Sequence, residues 1–407
     1  MRMQVQFCPM DPLLVYQAFA SVFVGSSLVN ALADARHFRR PAATDPASRA
    51  EWPSLSVLIP ARDEAAVIEP CVRSLLASGY PGPLEVIVVD DHSADTTAAI
   101  VAALASDDPR VRLLPGGPLL PGWKGKPNAL RQLAAAATGS LVLLTDADCT
   151  FLPGSLTASV AHREATGADC LSLIPYLACD SFWEHVIVPL QYVLVFLTLP
   201  IAKITGSRNP AFAAANGAFL LLESGTYAAL GGHESVRGAM AEDIGFAQHV
   251  KRSGRRLVYG DGARIYRVRM YTSLRGIWDG FSKNLFPAMG SRLPVLVVWS
   301  AFLAMTQILP LGFLAAALAR DERSLALLWL PLVHVLIALG IRLGVGKRFG
   351  QSTWAAFLAP VGWAVTLAIG ANSAYLALSG RGHTWKGRVY GADATPGRSR
   401  PEDGSTR

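Results

Sequence analysis

The chain has 407 residues, a net charge of +7 and only 16% charged side chains against 51% hydrophobic ones. Soluble domains carry roughly 25% charged residues, and here the deficit is local: eight charged side chains fall between Ser291 and Gly380, whereas residues 51–269 have the make-up of an ordinary soluble domain. This excludes a disordered chain, a collagen-like fibre and a purely cytosolic protein, and leaves a globular domain joined to membrane segments. The five cysteines form no Cys-x-x-Cys pair and no zinc spacing. The modest positive excess lacks interleaved aromatics, so a nucleic-acid partner is not expected, and it fits the cytoplasmic flanks of membrane helices.

Residues 13–33 form an apolar run long enough to span a bilayer, followed at once by Arg36, Arg39 and Arg40. The positive-inside rule then puts the N-terminus outside and the following residues inside; a cleaved signal peptide would have a shorter apolar core and its charge on the other flank. Segment 1–40 is therefore expected to be an anchor and 41–53 an Ala/Pro/Ser linker. A strand–helix alternation follows: strands at 55–60, 84–90, 111–114 and 140–145, and helices at 64–77, 95–106 and 126–137. It predicts a mostly parallel α/β sheet covered on both faces, with ligands outside the carboxyl ends of its strands. Residues 182–204 are apolar but carry Glu184, His185, Gln191 and Lys203; they are expected to be an amphipathic helix on the inner membrane surface. A helix is expected from Glu242 to Arg252. Beyond residue 290, stretches 293–319, 324–341 and 353–378 are candidate spans, and 381–407 is a basic tail. Four crossings would leave Arg381, Lys386 and Arg388 outside, against the positive-inside rule, so one stretch is expected to be re-entrant or interfacial.

Four acidic or basic clusters sit where such a sheet binds ligands. Asp146-Ala147-Asp148 follows a buried strand, and paired carboxylates there suit Mg²⁺ or Mn²⁺ bridging phosphate oxygens. Asp91 ends the second strand, where a carboxylate can accept a hydrogen bond from a base N–H; Asp95 reads as helix capping. Pro121-Gly-Trp-Lys-Gly-Lys126 is a glycine-rich basic loop opening a helix, a phosphate-binding pattern. Glu242-Asp243 opens a helix, either as dipole partners or as a general base.

In this order, Pro60-x-Arg62-x-Glu64, Asp91, Lys126, Asp146-x-Asp148 and Glu242-Asp243 resemble the glycosyltransferase family 2 enzymes of GT-A fold, a Rossmann-like sheet domain, here with membrane helices on both sides. Pro-Gly-Trp-Lys-Gly-Lys126, Gly-Gly-His-Glu-Ser235, Arg-Met-Tyr271, Gly-Phe-Ser-Lys-Asn284 and Trp-Lys-Gly-Arg388-Val-Tyr390 are similar to the lipid-directed branch. That branch includes carotenoid (diaponeurosporenoate), hopanoid-associated and ceramide glycosyltransferases.

The resemblance implies a cytoplasmic catalytic domain over residues 54–290 and membrane helices over 291–380, in a multi-pass protein of the cytoplasmic membrane. It implies that Pro60, Arg62, Glu64, Asp91, Lys126, Asp146 and Ala147 bind a UDP-sugar, with Asp148 and Asp146 on a Mg or Mn ion. Asp243 would be the catalytic base and Glu242 its neighbour. His233, Lys283, Trp385 and Arg388 would close the acceptor side. His92 stands where the family has glycine after the paired Asp, and no Gln-x-x-Arg-Trp motif occurs. The expected activity is transfer of one hexose, glucose, from a UDP-sugar to a membrane lipid. A processive polysaccharide synthase and an inactive membrane scaffold are the alternatives.

Overall fold

The computed structural model describes residues 11–239, 241–379, 383–385 and 388–390, the last two segments and Ala35 by their backbone alone. The chain enters through helix α1 (Pro12–His37), capped by the Asp11 carboxylate, and reaches strand β1 (Leu55–Ala61) through an irregular linker. Helix α2 (Ile68–Leu76) starts four residues later than its apolar pattern suggests. Pro70 sits in its first turn, where a missing N–H costs nothing. Then come β2 (Leu84–Asp90), α3 (Thr97–Asp107), β3 (Val111–Pro115), α4 (Gly125–Ala136) and β4 (Leu141–Leu144). After these the chain forms β5 (Cys149–Phe151), α5 (Ser155–Thr166), β6 (Cys170–Ile174) and β7 (Tyr176–Leu177).

Residues 182–204 are three short helices rather than one: α6 (Phe182–Ile187), α7 (Leu190–Thr198) and α8 (Ile201–Gly206). Pro189 and Pro200 stand at the breaks because proline cannot continue a helix without losing a hydrogen bond. Val186, Tyr192, Phe196 and Ile201 are buried, so much of the apolar character of this stretch serves the core. Next are β8 (Leu220–Glu223), α9 (Ser224–Ala229), α10 (Glu242–Arg252), β9 (Leu257–Asp261), β10 (Tyr266–Val268) and α11 (Leu274–Ala288).

The main sheet has the order β3-β2-β1-β4-β8-β6-β9. The first four strands are parallel, in register Val57↔Val86 and Val57↔Leu143, while β8 runs against both β4 and β6. One face packs on α2, α3 and α5 through Ile59, Cys71, Val88 and Leu143; the other packs on α4, α7 and α10 through Leu58, Leu133, Phe196 and Phe246. Burial on both faces explains the unbroken apolar strands.

The remaining helices are α12 (Leu293–Leu303), a wider π turn at Ala304–Ile308, α13 (Leu309–Arg320), α14 (Leu330–Arg348) and α15 (Ala359–Leu378). Four helical stretches are long and apolar enough to cross a membrane: Pro12–Asp34, Leu293–Arg320, Leu325–Arg348 and Trp354–Leu378. α1 packs along α14, tied by a 2.8 Å hydrogen bond between Ser21 Oγ and His334 Nε2. A short hairpin, β11 (His383–Trp385) with β12 (Arg388–Tyr390), follows.

Candidate active site

At the carboxyl ends of β1, β2 and β4 lies a cavity of about 640 Å³. β1 delivers Pro60, Arg62 and Glu64 to its rim, and β2 delivers Asp91. These two loops are laced together. Asp63 N–H donates to Ser93 Oγ, Ala94 N–H to Asp63 Oδ1, Glu64 N–H to Thr97 Oγ1, and Arg62 Nη1 to the Asp91 carbonyl at 2.8 Å. Asp95 accepts from Thr97 N–H, the first residue of α3, and from Ala65 N–H across the gap, while the N-cap position itself is Thr96, whose side chain makes no cap bond. His92 has φ +60°, the left-handed conformation that glycine adopts at no cost. The turn keeps its shape with a non-glycine residue.

β4 ends in a bend that points both carboxylates of Asp146 and Asp148 into the cavity and buries Ala147 in the core between them. Burial, then the neighbouring carboxylates of Asp146 and Glu64, push Asp148 up to about 7. At the mouth of α4, Lys126 Nζ stands 2.6 Å from Asp146 Oδ1 and 3.0 Å from Glu242 Oε1. Burial opposes its charge, yet Asp146 and Glu242 hold the ammonium well above lysine's ordinary range. One cation thus joins the loop after β4 to the start of α10. Asp243, beside it, accepts from Ile244 N–H at 2.8 Å and Gly217 N–H at 3.2 Å. Burial, then Glu242, raises the Asp243 carboxyl to about 6, a value suited to proton exchange near neutrality.

Gly217 was not apparent as a site residue from its own motif. A Cβ there would lie 3.1 Å from Lys126 Nζ and 3.3 Å from Asp243 Cβ, so any side chain at 217 presses on both. The Asn216-Gly217 dipeptide before β8 is the trace it leaves in sequence. The far wall of the cavity is apolar, formed by Tyr192 and Val195 of α7, Leu199 just after it, Met270 and Tyr271, and Pro287 and Ala288 of α11.

Of the residues expected on the acceptor side, Lys283 lines this cavity. The placement of His233 does not fit that role. It is 2% exposed, stacks on Phe246 at 4.9 Å and 7° between ring planes, and hydrogen-bonds the Tyr227 hydroxyl at 2.8 Å. Burial, then Lys126, depresses it to about 3, so it is a neutral support beneath α10. Trp385 and Arg388 are register partners in the β11–β12 hairpin, and their side chains lie outside the described residues.

Residues 56–210 match the Glycosyl transferase family 2 model. This chain carries a family 2 glycosyltransferase domain. Over 149 residues it is 32% identical to the beta-monoglucosyldiacylglycerol synthase of Trichormus variabilis, covering 36% of this chain and 31% of that one. Over 132 residues it is 35% identical to an N-acetylglucosaminyltransferase of Mesorhizobium japonicum, covering 31% and 30%. The chain thus spans about a third of the length of these relatives. The mannosyltransferase PcManGT of Pyrobaculum calidifontis, solved with GDP-Man and Mn²⁺, aligns with 88% of this chain and 99% of its own at 20% identity and a TM-score of 0.53. That likeness establishes a GT-A-like fold for the glycosyltransferase domain, with the apolar helices at either end of the chain.

Proposed function

We propose that the protein is a membrane-bound inverting glycosyltransferase that moves one hexose from a UDP-sugar to a hydroxyl of a membrane lipid. The observation that supports it most is the make-up of the cavity. Its polar end holds Asp91, Lys126, Asp146, Asp148 and Asp243, and its apolar wall includes α7, which also packs against the apolar helices α1, α14 and α15. A charged donor and an apolar acceptor would meet there. The diacylglycerol-directed relatives make a glycerolipid the first acceptor to test, ahead of carotenoid, hopanoid or ceramide-type lipids.

Asp91 would accept from the uracil N–H, with Arg62 holding its loop in place. The carboxylates of Asp148 and Asp146 suit a hard divalent cation. Among the described residues no group of three or more His, Cys, Asp or Glu side chains is placed to hold a metal ion, so Asp148 and Asp146 are the two carboxylates proposed to hold it. When bound, Mg or Mn would neutralise the charge gathering on the leaving UDP. Lys126 lies between Asp146 and Glu242 and would place a second positive charge at the diphosphate. Asp243 would take the proton of the acceptor hydroxyl as its oxygen forms a bond to the anomeric carbon and the bond from that carbon to the diphosphate oxygen breaks. Attack from the face opposite the diphosphate inverts the anomeric configuration.

The test supplies membranes containing the full chain with Mn²⁺, labelled UDP-glucose and diacylglycerol, and reads the organic phase by thin-layer chromatography. One labelled lipid, absent with Asp243→Asn and with Asp148→Ala, is expected. A ladder of products would replace single transfer with processive synthesis. Failure of the chain to bind UDP with Mn²⁺ would replace catalysis with a scaffold.

A further inference from the structure

Gln191 is the one carboxamide on α7, in the run Leu190-Gln-Tyr-Val-Leu-Val-Phe-Leu-Thr198, and it lines the cavity. Its neighbours on that wall, Val195 and Leu199, are apolar, and the Tyr192 hydroxyl is committed to the Pro175 carbonyl and Leu177 N–H. Gln191 has no such commitment. Among the described residues its side chain makes one hydrogen bond, in which Nε2 donates to the Met270 sulfur at 3.5 Å. A thioether is a weak acceptor, whereas a carboxamide offers two N–H donors and a carbonyl acceptor. Polar groups taken out of water are paired as a rule. A half-buried amide resting on sulfur therefore keeps most of its capacity for whatever occupies the cavity.

The place of this amide along the cavity matters. Met270 is followed by Tyr271, whose hydroxyl is raised above its ordinary range by burial and then by the Asp148 carboxylate, so this end of the wall lies towards the acidic end of the site. Beyond Gln191 the wall continues as Val195 and Leu199, with Pro287 and Ala288 of α11. A lipid lying on that wall with its hydroxyl towards Asp243 would bring the atoms beside the hydroxyl to Gln191, and its chains to the apolar residues. In a diacylglycerol those atoms are ester carbonyls, which accept hydrogen bonds and match the N–H groups of a carboxamide. A plain long-chain alcohol has no acceptor there and would leave the amide against hydrocarbon, at a cost.

We propose that Gln191 is a specificity-determining residue that donates to a carbonyl beside the acceptor hydroxyl, and so selects lipids that carry an ester there over lipids that do not. This role rests on the lipid-glycosylating reading of the cavity and adds the class of polar group that the acceptor carries.

The experiment uses membranes containing the full chain, Mn²⁺ and labelled UDP-glucose, and supplies either a diacylglycerol or the dialkylglycerol of matched chain length, in which ethers replace the esters. The unaltered chain is expected to favour the ester lipid about tenfold in kcat/KM, the worth of one hydrogen bond to a desolvated donor. In Gln191→Met, which keeps the length and apolar contacts of the side chain, that ratio should close to within twofold through a loss on the ester lipid. UDP affinity within twofold of the unaltered chain shows that the donor end is intact. Equal use of both lipids by the unaltered chain overturns the proposal, and this comparison needs no variant. A preference that persists in Gln191→Met overturns it too, and would pass the carbonyl to Lys283 or Asn284 of α11. Both outcomes involve transfer, which separates them from a failure of lipid glycosylation itself, where neither lipid is labelled. In that event thermal stabilisation of the UDP-loaded chain by each lipid in detergent reads binding instead, and equal stabilisation by ester and ether overturns the proposal.

Discussion

Tyr192 and Phe349 stack face to face, 3.9 Å between ring centroids and 6° between planes. Tyr192 belongs to α7 and lines the candidate cavity; Phe349 follows the apolar helix α14. The Tyr192 hydroxyl donates to the Pro175 carbonyl at 2.6 Å and accepts from Leu177 N–H at 2.7 Å, so the ring is fixed from both ends. The apolar helix α14 therefore holds the apolar wall of the cavity in place. Phe349→Ala removes a fully buried ring and is expected to cost about 3 kcal/mol, the low end for such truncations. Thermal unfolding in detergent reads that loss. KM for the lipid acceptor should rise several-fold while UDP affinity stays within twofold, and Phe349→Tyr should restore both stability and KM.

The pH behaviour follows from two carboxyls raised for the same reason. Asp243 titrates near about 6 and Asp148 near about 7, each lifted by burial and then by neighbouring carboxylates. Turnover limited by Asp243 should climb with pH through about 6, because only the ionised form accepts a proton. Binding of Mn²⁺ should strengthen towards pH 7, because the ion displaces a proton from Asp148. Stability without metal runs the other way. In the unfolded chain these groups ionise near 4, so between about 4 and 7 the folded state binds more protons and loses stability as pH rises. Glu85 and Glu184, held near about 2, act only at lower pH. Buried His233, depressed to about 3, adds stability as pH rises to about 6.5 and opposes the decline. The carboxyl contribution is therefore read as the difference between the unaltered chain and Asp148→Asn with Asp243→Asn. Melting of the metal-free protein at pH 5 and pH 7.5, with and without Mn²⁺, checks it. Relative to Asp148→Asn with Asp243→Asn, the unaltered chain should lose stability between the two pH values without Mn²⁺ and should not with it.

The polar half of the site was legible because it uses short motifs at strand ends. β1, β2 and β4 announce themselves as apolar runs, and Asp91, Asp146 and Asp148 stand at their carboxyl ends by position alone. The apolar half was not legible. Tyr192, Met270 and Tyr271 are ordinary core-type residues, and only the folded chain gathers α7 and α11 around one cavity. Residues 182–204 misled in the same way: their hydrophobicity served a core that sequence cannot distinguish from a lipid surface. His233 sat in a motif shared with lipid-directed enzymes, but its neighbours Tyr227 and Phe246 turn it inward.

Gly217 offers a sharp test of the Lys126–Asp243 arrangement. Gly217→Ala adds one methyl that meets Lys126 Nζ at 3.1 Å and Asp243 Cβ at 3.3 Å, distances at which a neighbour must give by a few tenths of an ångström. The backbone at 217 does not need a positive φ, so the fold itself should tolerate alanine. Displacing the proposed base by such an amount is expected to lower kcat by about 10- to 100-fold. The melting temperature should change by only a few degrees. A variant with normal kcat would mean that Asp243 and Lys126 are not held in a fixed relation during turnover.

Asp261 ties the apolar helices α1 and α14 to the sheet. Its carboxylate is fully buried at the end of β9 and receives Arg40 Nη2 at 2.8 Å, just after α1, and Arg348 Nε at 3.2 Å, at the end of α14. Arg40 Nη2 also donates to the Arg348 carbonyl, and Asp261 N–H donates to the Arg39 carbonyl, so both helix ends meet one residue. Removing one partner from a buried ion pair costs about 3–5 kcal/mol. Here both guanidiniums keep about a quarter of their surface in solvent, so Asp261→Asn is expected to cost less, about 2–3 kcal/mol. Asparagine keeps an oxygen that can accept from Ala263 N–H, which isolates the charge from the turn it supports. A lower melting temperature in detergent, partly recovered when Arg40→Gln is added, would identify the uncompensated charge as the cause. If the double variant is no more stable than Asp261→Asn alone, the loss lies in packing around β9 instead.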